Sequence, residues 1–166
     1  TEDTATAADN ISSNGAVTVT GSESGATVEY STDGGSTWGS SFTASVGGNN
    51  VTVRQTDTAG NTSATTNLIF TLDTSAAAPT VVLATDSGSA SDDLITNDGS
   101  LTVTGETGAT VEYSIDSGTS WGSSFAATEG DNTVQVRQTD VAGNVSDATT
   151  LTFTLGTTIA APTVAL

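Results

Sequence analysis

Apolar and polar residues alternate with a period of two along most of the chain. Val17 and Val19 alternate with Thr18 and Thr20, Val28 and Tyr30 with Thr27 and Glu29, and Val51 and Val53 with Thr52 and Arg54. Leu68, Phe70 and Leu72 alternate with Ile69 and Thr71, and the pattern returns at Leu101/Val103, Val111/Tyr113, Val134/Val136 and Leu151/Phe153/Leu155. Successive side chains of an extended strand point to opposite faces, so this spacing of β-branched and aromatic residues predicts half-buried antiparallel strands. No window of about a dozen residues carries the helical period of ~3.6. Turn signals fall at Asp33-Gly34-Gly35, Gly47-Gly48-Asn49-Asn50, Asn97-Asp98-Gly99 and Gly130-Asp131-Asn132. Short strands at regular spacing predict an all-β fold of tandem immunoglobulin-like β-sandwich domains.

The pattern is one unit used twice. Val17-Thr-Val-Thr-Gly21 returns as Leu101-Thr-Val-Thr-Gly105, Gly25–Ser31 as Gly108–Ser114, and Val53-Arg-Gln-Thr-Asp57 as Val136–Asp140. Tyr30, Trp38, Phe42 and Phe70 match Tyr113, Trp121, Phe125 and Phe153. The offset is 84 residues up to Gly21 and 83 beyond it, because Ser22 has no counterpart. Ala78-Pro-Thr-Val81 also returns, as Ala161-Pro-Thr-Val164, so Pro79–Leu83 reads as the first strand of a module and Pro162–Leu166 as the first strand of another. The expected division is residues 1–74 for module one, which lacks its first strand, 75–156 for module two, and 157–166 for a linker and the opening strand of a following module. On this reading the chain, which does not begin with Met, is cut out of register with its folding unit. Module one then has an open sheet edge. Either the tail strand of a neighbouring molecule adds to it head to tail, or the edge is tolerated and the tail frays.

Composition changes this picture mainly by exclusion. The 166 residues carry 19 Asp plus Glu against 2 Lys plus Arg, a formal charge of −17, and contain no His and no Cys. Zinc, haem, disulfides and thiol or imidazole catalysis are thereby excluded. The charge argues against nucleic acid and anionic lipid as partners. No apolar run approaches the roughly 20 residues that span a bilayer, and direct membrane insertion is not expected. High charge also favours disorder. Large apolar side chains repeated at fixed places argue instead for two folded modules.

The remaining chemistry is carboxylate chemistry. Asp86, Asp92, Asp93, Asn97 and Asp98 crowd one loop, where module one has Glu2, Asp9 and Asn14. Clustered hard oxygens suit calcium, though the spacing is not that of an EF-hand and a solvated acidic loop is the plain alternative. Sandwich topology predicts that Asp73, on the linker, approaches Glu106 and Asp140 where the modules meet, a second calcium site. Glu23 and Asp57 are the matching pair in module one. The Asp-x-Ala-Gly-Asn segments (Asp57–Asn61, Asp140–Asn144) also suit Asx-turns, and the two roles are compatible. Ser31–Trp38 and Ser114–Trp121 resemble the Asp-box hairpin of sialidases, a folding element remote from catalysis there. Arg54 and Arg137 are expected to bridge Glu29 and Glu112 on the adjacent strand. Hydroxyls without a neighbouring base, and no Lys, point away from an enzyme.

Taken together, the "VTVTG…GATVEYS", "VRQTD", "AGN", "FTLDT" and "APTV" elements resemble the immunoglobulin-like repeats of giant RTX-type bacterial surface adhesins. The resemblance implies type I secretion, an extracellular location at the bacterial surface, and extender modules that hold a distal adhesive domain away from the cell during biofilm formation. It also implies Ca2+ between neighbouring modules of the same chain, which points here to Asp73, Glu106 and Asp140, with Asp86 and Asp93 beside them and Asp57 as the module-one equivalent. The glycine-rich nonapeptide repeats of RTX tails are absent. A different class of function is a ligand-binding module, with Trp38 and Trp121 stacking on glycans or Thr-rich strands facing ice.

Overall fold

A computed structural model describes residues 9–166; Glu2 lies outside them. Ten strands run in order: β1 (Ile11–Ser12), β2 (Thr27–Ser31), β3 (Gly47–Thr56), β4 (Thr66–Leu72), β5 (Thr80–Leu83), β6 (Ile95–Thr96), β7 (Leu101–Thr104), β8 (Thr110–Ser114), β9 (Gly130–Thr139) and β10 (Thr149–Leu155). The described residues include no helix long and apolar enough to cross a membrane. The chain divides into two compact units. Unit one runs to Ser75 and takes in Val141–Asn144, and unit two holds Ala76–Asp140 and Val145–Leu166.

Unit two is a sandwich. One layer is a four-stranded sheet in the order β6-β10-β9-β8, and the other is the antiparallel β5–β7 ribbon. Alternation places Val134 and Val136 of β9 and Leu151, Phe153 and Leu155 of β10 on one face, where they pack with Val81 and Leu83 of β5. The ribbon register is Thr80↔Thr104, Val81↔Val103, Val82↔Thr102 and Leu83↔Leu101. Phe125 meets Phe153 edge to face, with ring centroids 6.3 Å apart. Unit one repeats the large sheet as β1-β4-β3-β2. Its core is Val51, Phe70 and Leu72, flanked by half-buried Val17, Val53 and Leu68.

The fold departs from the sequence expectation in three places. First, the sheets are mixed: β1 and β6 lie parallel to β4 and β10, with Ile11 opposite Thr71 and Ile95 opposite Thr154. Asn10 and Leu94 precede them at φ 59° and 57°. Their carbonyls accept from Thr71 N (2.8 Å) and Thr154 N (2.9 Å). Leu rarely takes that conformation, so Leu94 is a strained point held by the sheet. Second, Gly47–Asn50 and Gly130–Asn132 open β3 and β9 instead of forming turns. The reversal comes just before, where Asn49 donates to Ser45 O and Gly47 O and accepts from Ser45 N, as Asn132 does with Thr128 and Gly130. Third, Val17–Thr20 is not a strand, because among the described residues nothing pairs with it as β5 pairs with β7. Residues 162–166, read as the opening strand of a following module, are exposed and belong to no strand within this chain.

Candidate functional site

The acidic segment of unit two leaves β5 and carries the short β6 before it reaches β7. Asp86 accepts a hydrogen bond from Leu94 N through Oδ2 (3.2 Å), whereas its Oδ1 is buried and has no hydrogen-bond partner. Asp93 accepts from Ile95 N through Oδ1 (3.0 Å) and from Ala90 N through Oδ2 (3.2 Å). The Ile95 N–H, then the Ala90 N–H, hold the Asp93 carboxyl below the usual carboxylate range, with the Asp86 side chain also in reach. The loop closes this tightly because residue 88 is glycine: a Cβ there would fall inside the Asp93 carboxylate. Asp98 spends one oxygen on Ser100 N (3.0 Å). The loop thus brings Asp86 and Asp93 together and leaves one solvent-shielded carboxylate oxygen unspent.

That donor set suits calcium in kind, since calcium takes hard oxygens, about 6–8 of them. In number it does not suffice. Within either unit, no three acidic side chains among the described residues gather into a metal-holding group. Asp86 and Asp93 need backbone carbonyls and water to complete a shell.

The other predicted ligands have structural partners of their own. Asp73 closes unit one: its N–H donates to Ser12 O (3.0 Å) and its Oδ1 accepts from Ser75 N (3.2 Å). Its carbonyl accepts from Asn144 Nδ2 (2.8 Å). Glu106 belongs to unit two, where its Oε1 accepts from Ala77 N (3.0 Å) and fixes the approach to β5. Asp140, also of unit two, is buried, with 5% exposure. Asp57 sits in an Asx-turn: Oδ1 accepts from Ala59 N (2.9 Å) and Asn61 N (2.8 Å), and Oδ2 from Asn61 Nδ2 (2.8 Å). The Asn61 amide and N–H hold its pKa down.

The aromatic hairpins are self-contained. Asp116 accepts from Ser114 Oγ (2.7 Å), Ser120 N (2.9 Å) and Ser120 Oγ, and Ser114 Oγ accepts from Gly118 N (2.8 Å). These bonds, Ser120 first, lower the Asp116 pKa to about 2. Asp33 is held lower still by Thr37 and Ser31. Trp38 and Trp121 donate Nε1–H to Gly35 O and Gly118 O (3.0 and 3.1 Å). One face of each ring lies under a guanidinium, with Arg54 and Arg137 Cζ 4.0 and 4.1 Å from the centroids. Each Arg also bridges the Glu opposite it, Arg54 with Glu29 and Arg137 with Glu112, at 2.9 Å. The bridges follow the sequence expectation; the stacking adds to it.

Two residues escaped sequence reasoning. Gln138 is almost fully buried; its Nε2 donates to Ala77 O (2.7 Å) and its Oε1 accepts from Glu106 N (2.9 Å). Glu129 accepts from Thr157 N (3.0 Å) and Thr157 Oγ1 (2.6 Å), pinning the exit of the tail. A Gln repeated on an otherwise apolar strand face was the available signal for the first.

Comparison with solved structures shows a likeness in fold. The fibronectin(III)-like modules of Clostridium thermocellum CbhA are similar at 18% identity and a TM-score of 0.41, over 82% of each chain. No protein-family model and no curated protein matches the chain. The β-sandwich assignment rests on the strand pairing and cores described above.

Proposed function

We propose that this chain is an extender segment of a bacterial cell-surface adhesin, exported to the outside of the cell, whose modules are stiffened by calcium. The observation that supports this reading is duplication. The Asp33 and Asp116 hairpins, the two Trp–Arg–Glu clusters and the Asn49 and Asn132 clips use equivalent residues in equivalent contacts. Polar groups at these places satisfy one another, as a load-carrying module requires and a substrate site does not. The guanidinium over each indole occupies one of the ring's two faces, which leaves less aromatic surface for the glycan-binding alternative.

Calcium would supply charge neutralisation and cross-linking that a net charge of −17 otherwise lacks. Asp86 and Asp93 would hold it in the acidic loop, and Asp73, Glu106, Asp140 and Asp57 are the further carboxylates assigned to it. Modules of roughly 80 residues have marginal cores, so a bound ion matters. Extracellular calcium modules have Kd of about 10⁻⁴–10⁻³ M. At ten times Kd each ion adds about 1.4 kcal/mol.

Calorimetric titration with calcium tests this. Saturable binding in that range, weakened by Asp86→Asn with Asp93→Asn, is the expected result. No heat beyond dilution, with no rise in melting temperature in millimolar calcium, overturns the calcium assignment.

A further inference from the structure

Unit one carries a groove of about 540 Å3 where unit two carries β5. Val17, Val19, Val28, Val53 and Leu68 line it. Among the described residues nothing covers them as β5 covers their counterparts: Val136 is 0% exposed and Leu151 is buried, yet the equivalent Val53 and Leu68 are only half-buried. The polar partners match as well. Gln138 Nε2 donates to Ala77 O beside β5, and Thr149 Oγ1 to Pro79 O. Gln55 keeps the other half of the arrangement, accepting from Glu23 N (2.8 Å), and Thr66 stands at the position of Thr149.

We propose that this groove is a strand-acceptor site and that residues 161–166 of a second copy of the chain fill it, joining copies head to tail. The occupant is read from the chain itself. Ala161-Pro-Thr-Val-Ala-Leu166 repeats Ala78-Pro-Thr-Val-Val-Leu83 except at Ala165, and its counterpart Val82 faces outward, 55% exposed. The inward residues are kept: Val81 is 7% exposed when seated, whereas Val164 of the free tail is 94% exposed. The β5–β7 ladder sets the register: Thr163 opposite Thr20, Val164 opposite Val19, Ala165 opposite Thr18 and Leu166 opposite Val17. The Ala160 carbonyl then meets Gln55 Nε2, as Ala77 meets Gln138. Main-chain ladder bonds supply the attraction, and Val164 and Leu166 supply the register.

The tail carries the same length of tether as the internal connection. Leu155 to Pro162 spans the same seven positions as Leu72 to Pro79, the connection that carries the chain from the last strand of one repeat to the first of the next. Glu129 pins its start at Thr157. A second copy of the chain offers such a tail a matching acceptor in its unit one. Donor and acceptor are different surfaces, so the contact is heterologous and extends into open chains or rings. This proposal does not depend on calcium.

Sedimentation across a concentration series, with amide exchange on the same samples, tests it. The full chain should gain mass with concentration while the amides of residues 17–20 become protected. Val164→Asp with Leu166→Asp, at positions exposed in the free tail, should abolish both effects. A synthetic peptide of residues 160–166 added to that variant should restore the protection without the mass. Three results overturn the proposal: a wild-type chain that stays monomeric with residues 17–20 unprotected, protection in a monomer (the chain's own tail in the groove), or association that survives the double substitution.

Discussion

Arg137 lies over the face of Trp121, its Cζ 4.1 Å from the ring centroid. Its guanidinium also bonds Glu112 on the neighbouring strand at 2.9 Å. The Trp is delivered by a hairpin built on Asp116 and the Arg by β9, so the stack ties the hairpin to the sheet. Arg54 and Trp38 repeat the arrangement at 4.0 Å in unit one.

Arg137→Lys keeps the charge and loses the planar stack. The half-exposed salt bridge contributes about 0.2–1 kcal/mol and the cation–π contact about 0.5–2 kcal/mol. The substitution should therefore cost about 1 kcal/mol, and Arg137→Ala somewhat more, by chemical denaturation of unit two. If Lys matches wild type, the stack contributes nothing.

The hairpins should be acid-labile. The Asp116 pKa is lowered from 3.8 to about 2, and that of Asp33 further. A group depressed in the folded state stabilises fully above its unfolded pKa and loses that contribution as pH falls through the folded value. Stability should thus decline from about pH 4 to pH 2, and Asp116→Asn should flatten the decline in unit two. Melting temperature against pH for both proteins checks this. Parallel curves contradict it.

The units should melt separately, unit one first. Among the described residues its core has no counterpart of the cover that Val81 and Leu83 give unit two. Leu83→Ala should cost about 2–5 kcal/mol and shift only the later transition in calorimetry. A shift of the earlier transition would contradict the assignment.

Much of this was legible in the sequence. Leu151-Thr-Phe-Thr-Leu155 gives β10 directly, because every second residue is large and apolar. Glu112 and Arg137 were legible as partners because strand order fixes which residues face each other. Ile11–Ser12 and Ile95–Thr96 were not: two residues carry no period, and their pairing depends on positive φ at Asn10 and Leu94. Val17–Thr20 shows the converse, since a strand pattern forms no strand where the described residues offer it no partner edge. In the candidate site, the composition of Asp86–Asp98 marked the loop. The unpaired state of Asp86 Oδ1 depends on the path of the backbone at Leu94, which no residue pattern reports.

Gly88→Ala tests the closure of that loop. Its Cβ would collide with the Asp93 carboxylate, so Asp93 must shift and release Ile95 N. The expected cost is within about 1 kcal/mol, because the colliding group is the end of a side chain in a largely exposed loop, with faster amide exchange at Ile95 and weaker calcium binding. Unchanged exchange at Ile95 would show that the loop accommodates the methyl group.

The central claim, an extender stiffened by calcium, is tested most directly by small-angle scattering of the monomeric Val164→Asp, Leu166→Asp chain in millimolar calcium and in EDTA. The account predicts a longer maximum dimension and a narrower distance distribution with calcium. An identical maximum dimension under both conditions would contradict it.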